Sequence, residues 1–207
     1  MTEVTRRGLL AGVAASLLAA RGAFAEAPLD ALLADVARAR RDVRTMRAGF
    51  TQDRKLTLLA TTVSSTGVLT FVAPDRLRWA LGPPDDVVYF IGPEGLSYRT
   101  KSGKATAPPQ GAAVAKALSD VRALLGGDLG ALRDRYVLAG NREGSGAEIT
   151  GTAKDPKASV KSFVLVLDRS LALPVRARLV EGKNDTIDIT FKNPEINVTI
   201  DPGTMKP

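Results

Sequence analysis

The stretch "GVLTFVAPDRLRWAL", Gly67 to Leu81, holds the chain's only tryptophan, two arginines and a proline in mid-run. If Pro74 and Asp75 make a turn, Leu69 and Phe71 share one face before it, and Leu77, Trp79 and Leu81 share one face after it, because strand side chains alternate. Arg76 and Arg78 then point the other way. The segment reads as two strands with one apolar and one wet face, and the fold question is what the apolar face covers.

The same short-period pattern recurs on both sides of it. Strands are expected near 48–58, 62–72, 76–81, 86–91 and 96–100, and again near 136–140, 147–152, 161–168, 174–181, 185–192 and 196–200, at the spacing of an antiparallel barrel or sandwich. In "DTIDITFK", Ile187, Ile189 and Phe191 alternate with polar residues, and "INVTI" repeats the pattern. Only "FVLVL", Phe163 to Leu167, is apolar throughout, which marks a central strand or one with helix on its second face.

Helical spacing interrupts the strands in two places. From Pro28 to Arg47, Leu29, Leu32, Leu33, Val36, Val43 and Met46 recur near helical spacing, with Arg38, Arg40, Arg41, Arg44 and Arg47 around them. Such a helix either covers a core or lies on a membrane surface with its basic face outward. In "AAVAKALSDVRALLGG", Val114, Leu118, Val121 and Leu125 form one stripe that stops at Gly126 and Gly127, and a brief helix around Leu129 to Arg135 is expected to be capped by Asp128. The fold class is therefore mainly β with helices (α+β): a strongly curved antiparallel sheet whose inner side the helices close. Leu69, Phe71, Leu77 and Trp79 face that side, as packed core or as the wall of an apolar cavity.

The N-terminus reads as a leader. Arg6 and Arg7 precede an apolar run from Leu9 to Ala20, and Ala23 and Ala25 flank Phe24 in the small-residue cleavage pattern, so residues 1–25 are expected to be a signal peptide cut after Ala25. The run is too short to span a bilayer. "TRRGLL" fits the twin-arginine or the general secretory route, and both remain open. Residues 26–207 then form a single exported domain, soluble in the periplasm. A net charge of +7 suits either anionic partners or a dispersed solvated surface.

The chain has no histidine and no cysteine, so it cannot form disulfides or Ser-His-Asp or Cys-His machinery, and zinc loses its principal ligands. Phosphate-cradling and dinucleotide glycine motifs are absent too. Asp85 and Asp86 are neighbours that point to opposite strand faces and cannot flank one glycosidic bond. Three tyrosines and one tryptophan make a poor platform for single-stranded nucleic acid. No enzyme, no cofactor and no nucleic-acid partner are expected.

Taken in order, the first helix leading into "FTQ" (Phe50 to Gln52), "GVLTFVAPDRLRW", "VVYFIGPEGLSYR", "LLGGDL" and "SFVLVLDRSLALPVRARLVEGKNDTIDITFKN" resemble the periplasmic outer-membrane lipoprotein carrier proteins, a LolA-like family. The resemblance implies an incomplete β-barrel of LolA/LolB type with a helical lid over an apolar cavity that carries acyl chains of lipoproteins, or a related lipid, from inner to outer membrane. Implied partners are the acylated cargo, an inner-membrane ATP-driven lipoprotein-releasing transporter and an outer-membrane acceptor, with the carrier a monomer. Candidate wall and lid residues are Leu32, Val36, Leu69, Phe71, Leu77, Trp79, Phe90, Val114, Leu118, Val121, Leu125, Phe163 and Leu165. The family usually places an arginine before the proline that matches Pro74, where it ties the lid shut; Ala73 stands there in this chain. That departure leaves open carriage of another hydrophobe, such as a glycolipid or polyene ester, or a lipid- or lipoprotein-sensing domain.

Overall fold

The computed structural model describes residues 19–105, 119–120, 122–123, 129–144, 146–182 and 184–206. Helix α1 is Ala19–Arg40. It leads into β1 (Thr45–Leu56), β2 (Thr61–Val72), β3 (Arg76–Leu81), β4 (Val87–Gly92), β5 (Gly95–Thr100) and β6 (Gly103–Ala105). A four-residue helix, α2 (Gly130–Arg133), precedes β7 (Tyr136–Glu143), β8 (Gly146–Ala153), β9 (Val160–Leu167), β10 (Pro174–Glu181) and β11 (Asp185–Ile196).

All eleven strands belong to one antiparallel sheet, in the order β6-β5-β4-β3-β2-β1-β11-β10-β9-β8-β7. Each hairpin adds a neighbour, and the chain ends are joined where β11 returns to β1. Among the described residues no ladder joins β6 to β7, so the sheet stays open.

The opening stretch folds as β2, turn and β3. Phe71 pairs with Leu77 and Leu69 with Trp79, while Thr70 pairs with Arg78 on the other face. Met46 and Ala48 of β1 continue the inner row beside Phe71 and Leu69. Leu69, Phe71 and Leu77 are each 1 % exposed or less. Phe50 stacks on Trp79 at 4.2 Å between ring centres, with Phe191 edge-on to both at 6.4 and 6.3 Å. Gly67 makes room for that stack, since a Cβ there would lie 2.3 Å from the Phe50 ring and from the Ala80 carbonyl.

Helix α1 lies on this inner face through Leu29, Leu32, Leu33 and Val36, all buried. Its leucines approach the backbone of β7 because Gly140 has no side chain: a Cβ at that position would meet Leu32 at 2.9 Å and Leu29 at 3.3 Å. Ion pairs Asp30–Arg133 and Asp35–Arg142 fasten the polar side of α1 to α2 and β7.

The structure departs from the sequence-based expectation at three places. The first helix ends at Arg40, not Arg47. Val36, Val43 and Met46 fit helical spacing, but Met46, Ala48 and Phe50 also alternate with period two, and pairing with β2 and β11 settles the competition for strand. The separate strand expected at 196–200 does not form; β11 runs unbroken to Ile196 and stops at Asn197, which has φ 57°. The Asn197 side chain accepts the Arg44 N–H and donates to the Asp42 carbonyl, taking over from ladder pairing. Strand β6 escaped the reading because three residues carry no periodicity. The short helix is Gly130–Arg133, within the Leu129–Arg135 span expected for it, with Leu129 at its N-cap; Asp128, the expected cap, lies outside the described residues.

Candidate functional site: the inner face and its two charged ends

The inner face is built by alternation alone. Across the sheet, Ile91, Leu77, Phe71, Met46, Phe50, Phe191, Ile189, Leu179, Phe163, Leu165 and Ile149 share the inner face and belong, with Leu29, Leu32, Leu33 and Val36 of α1, to one buried cluster. Of the candidate residues, Leu32 and Val36 stand on the helix side of it. Leu69, Phe71, Leu77, Trp79, Phe163 and Leu165 stand on the sheet side, where Phe163 meets Tyr136 edge-on at 5.1 Å.

Phe90 does not join them. It pairs with Arg78, so it projects from the opposite face of the sheet. There its ring is covered by the guanidinium groups of Arg78 and Arg99, at 5.9 and 5.6 Å. Alternation places it correctly once β4 is in register with Trp79 opposite Tyr89; the residue's apolarity alone misassigned it. Val114, Leu118, Val121 and Leu125 lie outside the described residues.

Around Trp79 the inner face is filled. Trp79 is 3 % exposed, packed between aromatic rings. Two cavities of about 420 and 410 Å³ are present: one at the ends of β3 to β5 beside the turn at Met205, where Leu77 and Ile91 of the inner row contribute to its lining, the other against Val164, Val166 and Arg176 on the far face of the sheet. Neither is lined by Trp79, Phe50 or Phe163. Among the described residues, an occupant of the region around Trp79, Phe50 and Phe163 must therefore displace packed side chains, those of α1 included.

Sequence reasoning missed two polar features of this face. At the far end of β1 the inward positions become polar: Gln52 and Ser65 are buried and paired across β1 and β2, and Arg54 reaches Asp85 at 3.5 Å. Burial, reinforced by the Asp85 charge, pushes the Tyr89 hydroxyl pKa up, and burial raises that of Glu181 while Arg54 opposes it. The signal for this collar was present in the alternation Phe50, Gln52, Arg54, which continues the inner row with polar residues. At the other end stands Arg40, 5 % exposed, with its three guanidinium nitrogens lacking any hydrogen-bond partner. Leu29, Leu33, Val36 and Arg40 lie on one side of α1, so the buried stripe of the helix ends in a charge. Desolvation lowers the Arg40 pKa to about 10, against the raising influence of Asp168.

Among the described residues no cluster of three or more His, Cys, Asp or Glu side chains is placed to hold a metal ion. No helix among the described residues is long and apolar enough to cross a membrane. Ala73, at the position of the expected lid arginine, sits exposed at the β2–β3 turn and offers only its backbone N–H, which donates to the Arg44 carbonyl at 2.8 Å.

No curated protein matches the chain. Among solved structures, an uncharacterized conserved protein from Thermus thermophilus aligns with a TM-score of 0.52 at 8 % identity, over 86 % of this chain and 93 % of that one. MucB aligns with a TM-score of 0.52 at 15 % identity, over 86 % of this chain and 62 % of that one. A LolA superfamily protein from Nitrosomonas europaea aligns with a TM-score of 0.48 at 8 % identity, over 86 % and 97 % of the two chains. Such identities speak to the fold. The family model described as outer membrane lipoprotein carrier protein LolA matches residues 41–206, from just after α1 through every strand, and the chain belongs to that family.

Proposed function

We propose that this protein is a periplasmic carrier that takes up acyl chains, of lipoproteins or of a related lipid, between α1 and the inner face of the sheet and shuttles them from the inner to the outer membrane. The observation that carries the reading is the pairing of family membership with an inner face that is apolar from Ile91 to Ile149 and on which, among the described residues, Leu29, Leu32, Leu33 and Val36 of α1 pack. Each buried CH₂ is worth about 0.8 kcal/mol, so a long acyl chain leaving a bilayer gives up roughly 10 kcal/mol, which an apolar interior of this kind can restore. Opening is the carrier's own work. Extraction energy comes from a partner, for which the ATP-driven inner-membrane transporter of the family is the candidate, and an outer-membrane acceptor completes the route.

The test is mass spectrometry of an organic extract of the protein purified from its native cell envelope. An acylated peptide supports lipoprotein carriage. A free lipid moves the reading to another hydrophobe, and an empty protein that stays empty with lipopeptide in excess overturns it.

A further inference from the structure

As a core residue Arg40 is costly. It lies on the same side of α1 as Leu29, Leu33 and Val36, is 5 % exposed, and leaves Nε, Nη1 and Nη2 all without a partner. A guanidinium carries five N–H donors and cannot shed its charge under physiological conditions, so burial without partners is unfavourable. Asp168 is the acid whose field reaches it, but no hydrogen bond joins the two: Asp168 Oδ1 accepts from the Ser170 hydroxyl at 2.7 Å and the Leu173 N–H at 3.2 Å, and the three Arg40 nitrogens have no partner. Arg40 and the Arg54–Asp85 collar stand toward opposite ends of β1, separated by roughly 30 Å of strand, with the apolar inner face between them.

We infer that Arg40 is the counter-ion for the anionic head of an acyl ligand, whose carboxylate or phosphate it grips while the chain lies between α1 and the sheet. This rests on the acyl-binding reading above and narrows it to lipids with an anionic head. Planar N–H donors suit the paired oxygens of carboxylate and phosphate alike. Because Arg40 is enclosed, the head reaches it only as part of a molecule whose chain parts the helix from the sheet; a free anion has no such lever.

The experiment measures binding of palmitate, hexadecyl phosphate, hexadecanol and inorganic phosphate at pH 8 to the purified protein and to Arg40→Met and Arg40→Lys. Methionine keeps much of the stem and removes the charge. Expected for the native protein is binding of palmitate and hexadecyl phosphate at least ten-fold tighter than hexadecanol, with inorganic phosphate unbound. Arg40→Met should bind all three chain probes alike, Arg40→Lys should keep part of the preference, and empty Arg40→Met should melt no lower than the native protein. Equal binding of palmitate and hexadecanol by the native protein, or a preference that survives in Arg40→Met, overturns the inference and leaves the acyl reading standing. Inorganic phosphate held through Arg40 overturns it in favour of a simple anion site. Failure of all three chain probes removes the acyl reading itself. Should Arg40→Met not fold, the native comparison of palmitate with hexadecanol and the Arg40→Lys result still decide.

Discussion

Helix α1 is the element whose displacement the account requires, and Leu32→Ala tests that directly. Leu32 is 3 % exposed, and its Cδ2 atom fits the notch left by Gly140. Truncating a leucine so placed costs about 2 to 4 kcal/mol, transfer and cavity terms together. If α1 closes as a unit over a sheet that is stable without it, that loss falls on the closed–open equilibrium and shifts it about 30- to 700-fold toward open. Two measurements then move in opposite directions. Amide exchange within residues 29–40 accelerates while Phe163–Leu167 in β9 stays protected, because the sheet retains its ladders. Affinity for an acyl ligand rises, since the competent open state is more populated and apparent affinity scales with that fraction. A uniform loss of protection through β1 and β9, with acyl affinity unchanged or weaker, would show α1 to be a permanent part of the core and refute the reasoning.

Three further outcomes follow from the packing and the charges. Gly67→Ala places a Cβ 2.3 Å from the Ala80 carbonyl as well as the Phe50 ring, and because the backbone carbonyl cannot move aside the variant should lose about 3 kcal/mol or more in denaturant unfolding; a loss under 1 kcal/mol would contradict the packing described. Leu77→Glu introduces an unpaired carboxylate at a position 1 % exposed and should cost about 4 kcal/mol or more, whereas a near-native unfolding midpoint would mean that water reaches this face in the empty protein. Glu181 has a folded-state pKa raised above 4.5 by burial, so the folded state holds its proton more tightly than the unfolded chain and stability declines as pH rises from 4.5 through that raised pKa; Glu181→Gln should flatten the decline in a pH series of melting curves, and an unchanged slope would remove the burial argument.

Much of this architecture was legible because period-two alternation survives almost every strand. The pair Leu69–Trp79 and the row Ile187, Ile189, Phe191 were assigned to one face from sequence and lie on it. Errors gathered where two periods coincide or where side chains replace ladders. Met46 satisfies helix and strand at once, and long-range pairing to β11 decides between them. At Asn197 a side-chain amide ended a strand that the pattern "INVTI" continued. Phe90 shows the limit of reading hydrophobicity as inwardness, since an aromatic ring under two guanidinium groups is buried on the outer face just as well. Arg40 shows the reverse: in the sequence it is one of several arginines near a helix end, and only burial separates it from its exposed neighbours Arg38 and Arg41.

The most direct test of acyl binding between α1 and the sheet is photo-cross-linking with an acyl probe that carries a diazirine at its chain end, followed by peptide mapping. The account predicts adducts on inner-face segments, above all those holding Met46, Leu69, Trp79, Phe163 and Leu165, and competition by an unlabelled acyl ligand. Adducts confined to the outer face, around Phe90 or Val164 and Val166, or labelling that no acyl ligand competes away, would contradict it.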